Sequence, residues 1–297
     1  MMNILWRYIF SAYLSTAFIA PNLRYSLGPT KNLIIRNMQA LDYTSLHYLC
    51  HELQCSIVPS RIENVVQYDQ HSVAIQLRTS RDELFWLTIC WNHIAARVTC
   101  GEPPPISPDS NIYSFGSTVR NVLKGLYLQR IALPDNYDRV IDMEISNRIG
   151  QYPDWRIRVE IIGARSNSIL MSASDNVIVA CAYQVSSSQS IRPLQTGSIY
   201  KPPPDVGGMR SPDSVTDETM LLNHLQLSSS LMPSSKNGSL SELLTRTYKG
   251  MSPNIALDLL TSAGIPLESS ETDLSKASIT NLYRLFRLWR GGGFPSW

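Results

Sequence analysis

Asp138 and Arg139 are adjacent residues whose side chains suit recognition of a nucleic acid. A guanidinium carries its donors in a planar fork that fits a phosphate or a base edge, and a neighbouring carboxylate can hold that fork or accept from a base amino group. The same two side chains are equally suited to a surface ion pair between a turn aspartate and an arginine at a strand end. Residue types alone favour the ion pair, so the assignment depends on the surrounding sequence.

Two histidines and two cysteines lie close together and raise the question of a zinc site: His47, Cys50, His51 and Cys55. These side chains bind zinc, and the two histidines are spaced to share a helix face. We favour a simpler interpretation, in which residues 42–54 form an amphipathic helix with its leucines packed inward. The five cysteines of the chain are odd in number and lack a repeated CxxC spacing, which indicates a reducing compartment. We therefore predict no metal and no other cofactor.

Composition places few limits on the function. The net charge is +2 and 43% of the residues are hydrophobic, which describes a globular chain and neither supports nor excludes RNA as a partner. A length of 297 residues allows one or two domains. No Walker loop, HExxH or GxSxG peptide occurs, so the sequence supports no enzyme class and no catalytic residue.

Short strands and a few helices must position the candidate residues. Residues 72–78 alternate apolar and polar side chains, residues 84–91 are apolar throughout, and a turn at residues 80–83 predicts a hairpin between them. In the helix predicted for residues 114–124, Arg120 and Lys124 are four residues apart and share one side. Further strands are predicted at residues 127–133, 139–145, 155–162, 168–172 and 177–183. This pattern indicates an α+β fold with an antiparallel sheet.

A helical unit is predicted at residues 240–297, after a flexible linker at residues 205–239 that carries a short helix near residues 220–225. Gly250 ends an apolar stripe in that unit, and Ser252 then caps a second helix that begins with Pro253. A turn of this kind can present backbone N–H groups to a phosphate, although a plain packing hairpin is the more common outcome.

Four peptides together resemble the NFACT family, whose members are called RqcH in bacteria, NEMF in animals and fibronectin-binding protein A-like in older descriptions. The peptides are VRNVLKG at residues 119–125, the pair Asp138 and Arg139, VEIIGARSNSIL at residues 159–170, and RPLQTGSIY at residues 192–200. They occur in the family's order and spacing, and the resemblance extends over about residues 42–260. It is especially close to the plastid and cyanobacterial branch.

The resemblance implies a protein that binds tRNA and the large ribosomal subunit carrying peptidyl-tRNA, during rescue of stalled translation. It implies an amino-terminal α+β domain of glycosylase-like layout at residues 38–204, and a helix-hairpin-helix-like unit that stops before the family's coiled coil. Asp138 and Arg139 are then expected to contact tRNA, and Arg97, Arg120 and Lys124 to form a phosphate-facing patch. Arg165 and Asn167, in the turn after the strand that carries Glu160, are expected to add contacts, and Asn167 also to accept a strained turn backbone.

The first acidic residue is Asp42, and the residues before it contain arginines among apolar and hydroxyl side chains. That composition predicts a cleaved presequence at residues 1–37, directed to the plastid, and Arg7 interrupts the apolar run enough to disfavour stable membrane insertion. If Met38 is the true start, a mitochondrial or cytoplasmic location is expected instead.

Two other classes of function remain open. A DNA glycosylase-like enzyme would share the layout, but neither Met1 nor Met38 is followed by the proline and glutamate which that chemistry needs. A non-catalytic adhesion or scaffold role would agree with the older family name and disagree with an organellar address.

Overall fold

The computed structural model describes residues 41–104, 113–134, 137–204, 207–231, 239–270 and 274–292. The strands are β1 (Ser60–Asp69), β2 (Ser72–Thr79), β3 (Leu84–Cys90), β4 (Arg97–Gly101), β5 (Tyr127–Ala132), β6 (Val140–Ser146), β7 (Trp155–Glu160), β8 (Asn167–Ser172) and β9 (Ile178–Cys181). The helices are α1 (Tyr43–Ile57), α2 (Ser114–Leu123), α3 (Glu218–Ser230), α4 (Leu240–Thr247), α5 (Pro253–Ser262) and α6 (Lys276–Arg290), with short 3-10 turns at Gly163–Arg165 and Pro212–Ser214. The predicted presequence and Met38 lie outside the described residues.

The strands form one nine-stranded sheet in the order β4-β3-β2-β1-β5-β6-β7-β8-β9, and each neighbouring pair is antiparallel. Helix α1 packs on β5 and α2 packs on β1, so that both helices bury their apolar faces against the sheet. The hairpin between β2 and β3 turns where the sequence predicts, with the Thr79 N–H donating to the Glu83 carbonyl at 3.0 Å. The predicted α+β fold with an antiparallel sheet is confirmed.

Helices α3 to α6 form a second apolar core, which includes Leu225, Leu244 and Phe286. Ser252 caps α5 as predicted, because its hydroxyl accepts from the Ile255 N–H at 3.2 Å. Helix α3 is longer than the short helix predicted within the linker range, and it packs into this core because Leu221 and Leu225 lie on one side of it. Helix α6 was not predicted. Within the described ranges, no helix is long and apolar enough to cross a membrane.

Helix α1 joins the helical unit to the sheet. Asp42 caps α1 by accepting from the Ser45 N–H at 2.8 Å, and its second carboxylate oxygen accepts from the Ser252 hydroxyl at 2.7 Å. One carboxylate therefore links the beginnings of α1 and α5. A further contact follows one residue into the helix, where the indole N–H of Trp289 donates to the Thr44 hydroxyl at 2.9 Å.

Candidate functional site

A cavity of about 900 Å³ lies where the sheet meets the helical unit. Its walls are residues 137–139, the turn after β7, the segment after β9 and residues 249–253. Four of the seven residues predicted to bind tRNA line it, namely Asp138, Arg139, Arg165 and Asn167. The cavity thus brings together the Asp-Arg pair and the turn of the VEIIGARSNSIL peptide.

The backbones that carry Arg139 and Arg165, two of the three arginines that line the cavity, are fixed by hydrogen bonds. The Arg139 carbonyl accepts from the Ile161 N–H at 2.9 Å. Beside Arg165, the Ser166 hydroxyl donates to the Gly163 carbonyl at 2.8 Å and closes the turn. Neither guanidinium forms a hydrogen bond or ion pair with any residue that the structure describes. Two cations on fixed backbones are therefore available to an anionic ligand.

A further basic residue lines the cavity from the helical unit. Lys249 precedes the turn at Gly250, and its backbone N–H donates to the Arg210 carbonyl at 3.0 Å. The cavity also holds the carboxylates of Asp42 and Asp138. Asp42 is used by a helix cap and a serine hydroxyl, and Asp138 is next to Arg139 in the chain.

Asn167 has a structural role that the sequence prediction described incorrectly. The residue is 2% exposed, its side-chain oxygen accepts from the Tyr183 N–H at 2.9 Å, and its amide donates to the Tyr183 carbonyl at 2.7 Å. The strained backbone expected at Asn167 belongs instead to Gly163, whose φ is 57°. The reason is that Asn167 begins β8 and pairs with Glu160 in extended conformation. Contact of Asn167 with tRNA stays a prediction.

The other three predicted residues do not line the cavity. Arg97 begins the edge strand β4 and donates to the Ala95 carbonyl at 3.1 Å. Lys124 is exposed at the end of α2. Arg120 lies one turn earlier, and its Nε is buried without a hydrogen-bond partner among the described residues. Their common phosphate-facing patch stays a prediction.

A buried ion-pair cluster next to the cavity was missed by sequence reasoning. The Glu160 carboxylate is fully buried, and Arg192 donates to its two oxygens at 3.0 and 2.5 Å. The Tyr200 hydroxyl donates to the same carboxylate at 2.6 Å, and burial together with the Glu160 charge raises the pKa of Tyr200. The signal was present, because all three residues belong to the VEIIGARSNSIL and RPLQTGSIY peptides. Their role is to join β7 to the segment that forms one cavity wall.

The helix with histidine and cysteine side chains forms as predicted, but it does not gather metal ligands. Cys50 faces the core, where burial raises the pKa of its thiol to about 12. His51 and Cys55 lie on the exposed side, with 4.0 Å between the His51 Nε2 and the Cys55 sulfur. Among the residues in the described ranges, no group of three or more potential ligands is assembled.

The fold and the cavity define a two-part protein, with a cavity lined by both basic and acidic side chains where the sheet meets the helical unit. The model of the family described as NFACT N-terminal and middle domains matches residues 42–291. This chain therefore belongs to the NFACT family.

Relatives of known name agree with this assignment. The chain is 28% identical over 184 residues to the Rqc2 homolog RqcH of Streptococcus suis, a match that covers 61% of this chain and 33% of that protein. It is 26% identical over 227 residues to the Rqc2 homolog RqcH of Bacillus subtilis, covering 73% of this chain and 36% of that protein. The chain thus spans about a third of the length of these curated relatives.

Solved structures show the same fold. The N-terminal domain of the fibronectin-binding protein PavA from Streptococcus pneumoniae superposes with a TM-score of 0.60 at 24% identity, covering 73% of this chain and 77% of that chain. The N-terminal part of the fibronectin/fibrinogen-binding protein from Streptococcus suis gives a TM-score of 0.61 at 22% identity, covering 83% and 84%.

Proposed function

We propose that this protein binds tRNA through the cavity between the sheet and the helical unit. The observation that carries the proposal is that Arg139 and Arg165, two arginines without partners in the described part of the chain, face one cavity beside Asp138. Unpaired guanidinium groups on fixed backbones suit phosphates and base edges that are exposed in RNA loops. Asp138 can orient the Arg139 fork or accept from a base amino group.

The relationship to the RqcH proteins supports the wider role. We infer that the chain acts with the large ribosomal subunit and its peptidyl-tRNA, in quality control of stalled translation, as a binding factor and not as an enzyme. The chain spans about a third of the length of these relatives, so its own binding to the large subunit must be measured separately. Sedimentation with purified large subunits measures that binding. Co-sedimentation that is absent at low salt would contradict subunit binding by this chain.

Substitution of Arg139 tests the tRNA site directly. Arg139→Ala should weaken tRNA binding by about 1–3 kcal/mol, the range of a specific bidentate contact, and leave the fold intact. Arg139→Lys keeps the charge and removes the fork, so a contact that requires the fork is not restored, whereas simple phosphate attraction is. The measurement is a binding curve at two salt concentrations, with circular dichroism to confirm folding.

Arg148→Ala is the matched control, because Arg148 is exposed on the β6–β7 hairpin and does not line the cavity. It removes the same charge from the protein, and we expect it to leave tRNA affinity nearly unchanged. Equal affinities of the wild-type protein and the folded Arg139→Ala variant would reject the cavity as the tRNA site.

We also propose that the protein acts in the plastid after removal of a presequence. The support is the acid-free composition before Asp42. Mass spectrometry of the mature amino terminus in isolated plastids tests this location, and an intact Met1 on the native protein would contradict it.

A further inference from the structure

Tyr137 precedes the Asp138–Arg139 pair in a backbone conformation that bulky residues rarely adopt. Its φ is 59°, in the left-handed region. Strained conformations of this kind persist where surrounding contacts hold them, and they are concentrated at functional sites. The contacts of Tyr137 therefore indicate what its strained position serves.

Three separate segments hold the Tyr137 side chain. Its ring centroid lies 5.0 Å from that of Tyr43 at the start of α1 and 5.9 Å from that of Trp289 in α6, both at tilted angles. Its hydroxyl donates to the Asp213 carboxylate at 2.9 Å. Two of these three partners, Trp289 and Asp213, belong to the helical part of the chain. The helical part of the chain thus contacts the side chain of Tyr137, which immediately precedes the candidate tRNA-binding residues Asp138 and Arg139.

The turn at Gly250 also lies very close to Tyr137. A Cβ atom placed on Gly250 would lie 2.9 Å from the Tyr137 Cβ and 3.2 Å from the Tyr137 carbonyl oxygen. Such distances leave no room for a side chain, and the Gly250 φ of 74° also favours glycine. The close approach places the Lys249–Gly250 turn directly against the backbone that leads into Asp138.

We propose that Tyr137 is a positioning residue, through which the helical unit fixes the placement of Asp138 and Arg139 at the cavity. On the other side, the loop is anchored to the sheet by the bond from the Ile161 N–H to the Arg139 carbonyl. The loop is therefore held between two supports. The effect of Tyr137 on tRNA binding rests on the proposed function, whereas the positioning of Asp138 and Arg139 by Tyr137 does not.

Amide hydrogen exchange tests the positioning without any RNA. In Tyr137→Ala the Ile161 amide should exchange at least about tenfold faster, because the Arg139 carbonyl that protects it loses its second support. In Tyr137→Phe the ring contacts remain, and exchange should stay within about twofold of the wild-type rate. The Ala182 amide, which donates to the Ser168 carbonyl at 2.8 Å elsewhere in the sheet, is the internal reference and should not change.

Two further variants complete the exchange experiment. Tyr152→Ala removes a tyrosine that is 95% exposed and should leave Ile161 exchange unchanged. Gly250→Ala pushes on Tyr137 without removing it and should accelerate Ile161 exchange. It replaces Tyr137→Ala if circular dichroism shows that variant to be unfolded. An Ile161 exchange rate that is unchanged in the folded variant overturns the proposal.

A double-mutant cycle measures the consequence for binding. Tyr137→Ala should weaken tRNA binding about tenfold in the wild-type protein and less than about twofold in the Arg139→Ala background, because Tyr137 acts through Arg139. Additive losses would show that Tyr137 does not act through Arg139. If Arg139→Ala alone has no effect on affinity while Ile161 exchange accelerates in Tyr137→Ala, the proposed tRNA site fails and the positioning role stands.

Discussion

Replacing Arg192 with methionine tests whether a buried ion pair contributes more to the stability of this protein than an exposed one does. The Glu160 side chain is 0% exposed and the Arg192 side chain 14%, so the substitution leaves a buried carboxylate without its cation. Removing one partner of a buried pair costs about 3–5 kcal/mol, whereas an exposed pair contributes about 0–1 kcal/mol. Glu160 keeps the hydrogen bond from Tyr200, which places our estimate for Arg192→Met near the lower end, about 3 kcal/mol.

Thermal and urea unfolding at neutral pH measure this loss. About 3 kcal/mol corresponds to roughly a hundredfold change in the unfolding equilibrium and to a fall in Tm of about 6–12 °C for a domain of this size. Arg130→Met is the matched control, because Arg130 pairs with Glu144 at 3.4 Å in the same sheet but is 61% exposed. We expect that control to cost less than about 1 kcal/mol.

The double replacement Glu160→Leu with Arg192→Met separates the lost pair from the lost packing. An apolar pair of similar volume removes the isolated charge, so most of the stability should return. Equal costs for Arg192→Met and Arg130→Met would refute the reasoning that burial of Glu160 determines the effect. A double variant no more stable than Arg192→Met alone would show that the Tyr200 bond, and not the uncompensated charge, matters most.

Among the described cysteines, Cys55 should react first with iodoacetamide at pH 8, because it is exposed while burial raises the pKa of Cys50 to about 12. Peptide mapping after short labelling checks this prediction, and faster labelling of Cys50 would contradict it. Gly116→Ala should destabilise the protein by about 1–3 kcal/mol in urea unfolding, because a Cβ there would lie 2.4 Å from the Gln67 Cβ and α2 must move away from β1. An unchanged unfolding midpoint would show that α2 shifts without cost.

Local patterns in the sequence predicted the elements that depend on neighbouring residues. The β2–β3 hairpin, the cap of α1 by Asp42 and the cap of α5 by Ser252 each involve side chains and backbone a few residues apart, and all three are present. Helix α6 has the same kind of signal, since Leu282, Leu285, Phe286 and Trp289 are buried at helical spacing. Helix α6 was not predicted, and it lies beyond residues 42–260, to which the family resemblance extends.

Contacts between distant residues were not predictable in the same way. Glu160 is 32 residues from Arg192 and 40 from Tyr200, and no local pattern shows that these side chains meet. The backbone conformation of Asn167 was predicted incorrectly for a related reason. It is fixed by pairing with Glu160 on the neighbouring strand and not by the turn before it. The family resemblance supplied the right peptides, whereas the fold shows which of their residues are committed to structure.

The residues that line the cavity differ in whether their side chains already have structural partners. Arg192 lines the cavity but is paired with Glu160, and Asn167 lines it while its side chain is hydrogen-bonded to the Tyr183 backbone, so both side chains already have structural partners. Arg139 and Arg165 have no such commitment within the described residues. Because one cavity wall belongs to the sheet and another to the turn at residues 249–253, the distance between these cations and Lys249 depends on how the two units meet. We therefore expect the proposed binding of tRNA at this cavity to require the helical unit as well as the sheet.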